Sequence, residues 1–340
     1  MEAGTLTPRG GRSIFQRSPR ERAADPLFRA LLLGLGLAVL VIIVYFFIKL
    51  ISESSDAFSK FGFFGFTFGA DWDVSRAQFG AWPLLFGTIV TSAIALIIGV
   101  PIAVATALFV TELCPRRFRT PLTILVDLLA AVPSVVYGLW GFLFLAPKLR
   151  GFQQFLADTF SFLPFVGGSV AGPSYFIAGL ILAIMILPIV SAISREVVQR
   201  VPVENKEAAL ALGATRWEMI RMAILPYSRA GITGASMLGL GRALGETIAV
   251  TLVIGNSASI GKQLFDQGYT LAAVIANEFG EAANNPLHSS ALFAAGLVLF
   301  VLTLVVNAAA RAVVQRSERL GKPAKPDDPV VAEASAAVGV

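Results

Sequence analysis

Charged side chains are scarce in this 340-residue chain, at 14% of the total, where a water-soluble domain carries about a quarter. A polar shell of ordinary density around a soluble core is therefore excluded. Histidine occurs once, at His288, so an HExxH zinc site is impossible, and the residue is expected in a solvated loop. Cysteine also occurs once, at Cys114, which excludes an intrachain disulfide and a multi-cysteine metal site. No GxSxG elbow is present. The nearest approach to a Walker loop, Gly255 to Gly261-Lys262, has one residue too many and ends in Gln263 where Ser or Thr is required. Gly239 and Gly241 are followed by Leu244 at the third position of a dinucleotide fingerprint, with no strand before them. These absences argue against an enzyme. No cofactor is expected on this chain, and any ATP and magnesium chemistry must belong to a partner.

What the chain does have is long apolar runs, within a hydrophobic content of 56%. Six stand out, at 30–48, 84–110, 121–145, 175–193, 232–254 and 291–310. At about 1.5 Å rise per residue, each is long enough to cross a hydrocarbon core of roughly 30 Å. Within them the only formal charges are Asp127, Arg242 and Glu246. They show no alternation and exceed the length of barrel strands, so the fold class is an all-α membrane protein of six transmembrane helices. The first run is too long for the core of a secretory signal, and Lys49-Leu50-Ile51-Ser52-Glu53 offers no small-x-small cleavage pattern.

Of the 27 Lys and Arg residues, one is Arg242. Twenty of the rest fall in the tails and alternate loops of one side and six on the other. The positive-inside rule then puts both termini in the cytoplasm. The net charge of +5 therefore requires no nucleic acid, and lipid is the expected environment. Aromatics gather in the first outer loop, from Phe58 to Trp82, as an interfacial belt would. The segments 1–29 and 311–340, rich in Arg, Gly, Ser, Pro and small residues, are expected to be disordered cytoplasmic tails flanking a permease domain at 30–310.

The longest cytoplasmic loop, 194–231, is neither Gly/Ser-rich nor patternless. Helix formers at Glu204 to Leu212 precede Gly213, which suits the left-handed position past a helix end. Thr215 and Glu218 have the spacing of a capping box for a second helix, expected to end before Pro226. Leu210, Leu212, Trp217, Ile220 and Ile224 interleave with Arg216, Glu218 and Arg221. Such a surface fits either the bilayer interface or the groove of another protein.

Arg242 and Glu246 stand near the middle of the fifth run, where an unpaired charge would cost on the order of 2.5 to 3.5 kcal/mol. Four residues apart, they share a helix face and can pair. Gly241 and Gly245 form a small-x-x-x-small step beside them. The pair can act as glue between helices, or as a translocation site in which the planar guanidinium meets an oxyanion and Glu246 positions it or holds the path shut. Asp127 is shallower and is expected to be a structural partner for a hydroxyl, amide or basic side chain.

Glu207-Ala208-Ala209, Gly213 and Leu225-Pro226 resemble the EAA loop of permeases in bacterial ATP-binding-cassette importers, with Ala223 where that family places a larger apolar residue. The stretch from Gly239 to Val250 resembles Pst-type phosphate permeases. Phe79-Gly80-Ala81 with Gly87-Thr88, Thr111-Glu112-Leu113 and Ala276-Asn277-Glu278-Phe279 are similar to the PstC-like side of that pair. The resemblance covers roughly 27–316. It implies a type I importer permease of the bacterial inner membrane that carries inorganic phosphate through Arg242 and Glu246. It implies coupling through Glu207, Ala208, Ala209, Gly213, Leu225 and Pro226. The partners implied are a PstA-like second permease, two copies of a PstB-like ATPase and a PstS-like extracytoplasmic phosphate-binding protein. Sulfate or molybdate permeases, and an ion-coupled secondary carrier, are the competing readings. The docking loop and the lack of matching broken halves argue against the carrier.

Overall fold

A computed structural model describes residues 19–320, except 161, 164, 169, 171 and 262. It divides into two compact units, Met1–Ser52 and Glu53–Val340. The first unit holds almost all of one helix, α1 (Pro19–Glu53). Proline opens a helix without loss, since its missing N–H would be unpaired there. The Arg-Glu-Arg-Ala-Ala that follows lets the helix begin well before the first apolar run.

The second unit is built in chain order from α2 (Ser55–Phe61), α3 (Phe63–Phe68), the short strands β1 (Trp72–Asp73) and β2 (Gln78–Phe79), and α4 (Trp82–Leu108). Then come α5 (Arg116–Ala131), α6 (Ser134–Trp140), α7 (Ala146–Thr159), α8 (Tyr175–Gln199), α9 (Val203–Ala211) and α10 (Arg216–Met219). The chain closes with α11 (Leu225–Gly245), α12 (Ile248–Ile254), α13 (Leu271–Ala282) and α14 (Pro286–Leu320). Three π-helical turns, at 109–113, 141–145 and 220–224, join neighbouring helices.

Helix α8 is the axis of the core, burying Ile177, Ile181, Ile186 and Val190 among the residues of α4, α11 and α12. Two glycines set how closely it is approached. A methyl group on Gly179 would stand 2.5 Å from Ile94 of α4, and one on Gly239 of α11 would stand 2.8 Å from Val190. Close backbone approach of this kind is how helices associate where no water drives them together.

A second core closes one end. Phe66, Trp72, Phe79, Leu84, Leu271 and Leu292 bring together α3, the antiparallel pair β1 and β2, and the starts of α4, α13 and α14. The aromatics expected as an interfacial belt are therefore split. Phe66, Trp72 and Phe79 are buried in this cap, while Phe63, Phe64 and Phe68 remain exposed. The opposite end carries α9 and α10, because α4 starts in the cap and finishes beside them.

Among the described residues, four helices are long and apolar enough to cross a membrane, and two bent pairs bring the number to as many as six. The bends correct two expected continuous spans. The run at 121–145 turns by 91° between α5 and α6. Pro133 has no N–H to offer the helix and pushes Val132 to an extended ψ of 127°. The run at 232–254 turns by 64° between α11 and α12, with Glu246 extended at ψ 130°. Two of the apolar runs are thus broken helices among the described residues.

Three boundaries also move. The tails expected to be disordered are helical at 19–29 and 311–320, and their remainders lie outside the described residues. The helix of the long loop does not stop before Pro226 either. It runs through the π turn, where the Leu225 amide reaches back to Ile220, and Pro226 falls in the first turn of α11. The wider turn absorbs the missing donor.

Candidate functional site

Arg242 lies in the last turn of α11 and Glu246 is the residue that ends it. Their charged groups stand 3.9 Å apart, with the Arg242 side chain 41% exposed and that of Glu246 10%. The spacing predicts a pair on one helix face. The pair forms instead across a helix end, because Glu246 has left the helix. Its other oxygen accepts from the Ala249 amide at 3.5 Å, giving the first turn of α12 a partner it would otherwise lack. The Thr247 hydroxyl donates to the Gly245 carbonyl. These local bonds, with three glycines in seven residues before the break, give the backbone an alternative to a continuous helix.

Helix α6 lines the same region. A methyl on Gly138 would come within 2.9 Å of the Ala249 backbone, so only glycine allows α6 and α12 this contact. Tyr137, one residue earlier, lies within electrostatic reach of Arg242 and donates its hydroxyl to the Leu129 carbonyl across the α5–α6 bend. On the other side of Arg242 the surface is open. Apart from their own chain neighbours and helix backbone, no atom of the described residues comes within 4 Å of where a side chain on Gly241 or Gly245 would begin. The Arg242 guanidinium is thus half-exposed beside a glycine face.

The loop residues fall on α9 and beyond. Glu207 and Ala208 are exposed, and Ala209 packs on a small core of Val198, Val201, Met219, Ile220 and Ile224, as does Leu225. Gly213 has φ +83°. Its amide donates to Leu210 and that of Ala214 to Ala209, which completes a Schellman ending of α9. Thr215 and Glu218 form the expected capping box of α10. Leu212, 89% exposed, and Trp217, 65% exposed, project from this turn with no cover among the described residues.

Three polar clusters are not evident from spacing alone. Lys206 of α9 pairs across 2.7 Å with Glu112, which lies in the π turn at the end of α4. Arg195, 8% exposed, pairs with Asp127 of α5 at 2.6 Å, which gives Asp127 the basic partner expected of it. In the cap, Glu278 accepts from Trp72 Nε1 at 3.0 Å and pairs with His288 Nε2 at 2.9 Å. His288 is buried at 2% and stacked on Phe79, so the expectation of a solvated loop histidine is corrected. Burial at helix α14, opposite a carboxylate, is the reason. Burial also pushes the nearby Tyr269 hydroxyl, which accepts from Asn277, up to about 12. At the hairpin tip, the Ser75 hydroxyl bond holds the Asp73 carboxyl below its ordinary value. No group of three or more metal-ligating side chains occurs among the described residues.

A family model described as "Binding-protein-dependent transport system inner membrane component" matches residues 99–319. The phosphate transport system permease protein PstC of Mesorhizobium japonicum is 44% identical over 297 residues, covering 86% of this chain and 90% of that one. The PstC 2 protein of Mycobacterium tuberculosis is 44% identical, covering 86% and 92%. The PstC of Xylella fastidiosa is 40% identical, covering 93% and 96%. Among solved structures, a bacterial ABC transporter that imports the acidic polysaccharide alginate is similar with a TM-score of 0.57 at 19% identity. That match covers 89% of this chain and 99% of that one, a likeness of fold.

Proposed function

The chain belongs to the binding-protein-dependent inner-membrane transport components, and within them to the PstC phosphate permeases, and from that premise we propose that Arg242 is its phosphate-meeting residue. The observation that carries the proposal is the half-exposed guanidinium of Arg242 at a helix break, with its counterion Glu246 3.9 Å away on one side and open glycine surface on the other. The chain is a transport component and not an enzyme. Its work is to bind, exclude and release.

A phosphate oxyanion matches the paired donors of a guanidinium, and Glu246 is the group it displaces. When no anion is present the carboxylate holds the guanidinium and the path is shut. The open face at Gly241 and Gly245 accepts the backbone of a PstA-like permease, and phosphate passes between the two chains. Six spans, with the bent pairs counted as one each, leave both termini in the cytoplasm of a bacterial inner membrane. The distribution of Lys and Arg, twenty against six, supports that orientation.

The loop built on Glu207, Ala208, Ala209, Gly213, Leu225 and Pro226 seats in one of two PstB-like ATPases, with Leu212 and Trp217 as its apolar anchors. ATP and magnesium are bound there and not by this chain. The cap formed by β1, β2 and α13 faces the PstS-like binding protein.

Uptake of radiolabelled phosphate by cells lacking this chain, then resupplied with it, tests the proposal. Restored uptake is expected to survive excess unlabelled sulfate and collapse of the proton gradient. Uptake lost to sulfate would indicate another oxyanion, and uptake lost with the gradient would indicate an ion-coupled carrier.

A further inference from the structure

Helix α5 is attached to the rest of its unit in an unusual way. It buries none of its residues fully, and only one face, with Arg119, Leu122, Thr123 and Val126, is half-buried against the rest of the unit, so apolar packing alone holds it weakly. Polar links add to that hold. Asp127, half-exposed, accepts from Arg195 Nη2 at 2.6 Å. Arg119 donates to the carbonyls of Val110, at 2.9 Å, and Thr111 in the π turn that ends α4. That same turn carries Glu112, the partner of Lys206 on α9. At its far end, α5 meets the 91° bend at Val132 and Pro133, spanned by the bond from Tyr137 to Leu129. Beyond the bend, α6 touches α12 through Gly138 and Ala249, three residues after Glu246.

From these contacts we propose that Asp127 and Arg195 are positioning residues for transport, a latch that fixes α5 against α8 and so sets the α6–α12 contact beside Arg242 and Glu246. The proposal rests on the transport reading above. Arg195 is suited to the task because it is poorly satisfied otherwise. Its second terminal nitrogen is buried without a hydrogen-bond partner among the described residues. Losing Asp127 would leave the guanidinium buried and unpaired, so the latch has two well-separated conditions and few intermediate ones. A helix whose apolar face is only half-buried costs little to move once it is released. The links from Lys206 through Glu112, Arg119 and α5 form a second route from the docking loop to the pair, beside the covalent route through α10 and α11.

The test uses the complete complex in proteoliposomes, with both permeases, the ATPase and the binding protein, and reads phosphate moved per ATP hydrolysed. In Asp127→Asn that ratio is expected to fall by about tenfold, a usual size for coupling between sites, with the complex still assembled and still hydrolysing ATP. The charge swap Asp127→Arg with Arg195→Asp is expected to recover much of it. A wild-type ratio in Asp127→Asn, or a swap that recovers nothing, overturns the proposal. Should Asp127→Asn fail to assemble, Pro133→Ala decides. It frees Val132 from the extended backbone that the proline imposes at the bend without touching the latch, and an unchanged ratio there also overturns the proposal. A wild-type complex with no ATP-driven phosphate uptake brings down the transport reading and this one with it.

Discussion

Glu246 holds two neighbours at once, Arg242 at 3.9 Å through one oxygen and the Ala249 amide at 3.5 Å through the other. One carboxylate thus neutralises a charge at a helix end and starts the next helix, so the bend and the ion pair are a single feature. The consequence is that the two roles separate by substitution.

Glu246→Gln keeps an oxygen for Ala249 and removes the charge. The complex is expected to assemble and melt normally while maximal phosphate uptake falls by about tenfold or more. Glu246→Ala removes the cap as well, at a typical cost of about 1 kcal/mol, and the melting temperature should fall too. Thermal melting and uptake on the same preparations check both. Equal melting of the two variants would dismiss the capping role.

Gly213 is the one loop position where backbone geometry forbids a side chain at low cost, since φ is +83°. Asp at this position is expected to abolish co-purification of the ATPase. Ala, with only the left-handed penalty of roughly 1 kcal/mol, should weaken it. Retention of the ATPase by Gly213→Asp would remove the docking role from this turn.

The Lys206–Glu112 pair joins α9 to the end of α4 with both side chains largely buried. Reversing either charge alone places like charges together and should reduce ATP-driven uptake severalfold. The double reversal should restore most of it. An uptake assay on the four complexes decides, and additive losses in the double variant would mean that the two residues act separately.

In the cap, His288→Ala leaves Glu278 with Trp72 alone and empties the space against Phe79. A loss of about 2 to 3 kcal/mol is expected. Proteolysis should then cut the segment 57–79 sooner, with ATPase association unchanged. Protection equal to the wild type would show that the histidine carries no load in the cap.

The apolar runs were legible because lipid imposes a length on every span, and Gly213 and the Thr215–Glu218 box were legible because capping is local. The bends were not. Pro133 was visible within an apolar run, but a proline in a helix yields a gentle kink or a right angle according to what pairs with the freed groups. Here Tyr137 on the Leu129 carbonyl favours the sharp turn. The break at Glu246 depends on a side chain reaching three residues forward, which spacing alone represents as a helical ion pair. The pairs Asp127–Arg195, Lys206–Glu112 and Glu278–His288 join distant or separate helices. Their partners follow from packing, so a single histidine in a polar stretch read as solvent-facing when it is part of a core.

Phosphate uptake by the assembled complex carrying Arg242→Gln tests the role of Arg242 most directly. A complex of normal composition that hydrolyses ATP and takes up no phosphate above background is expected. Uptake at the wild-type rate, or a complex that falls apart because the pair only joins helices, would contradict that role.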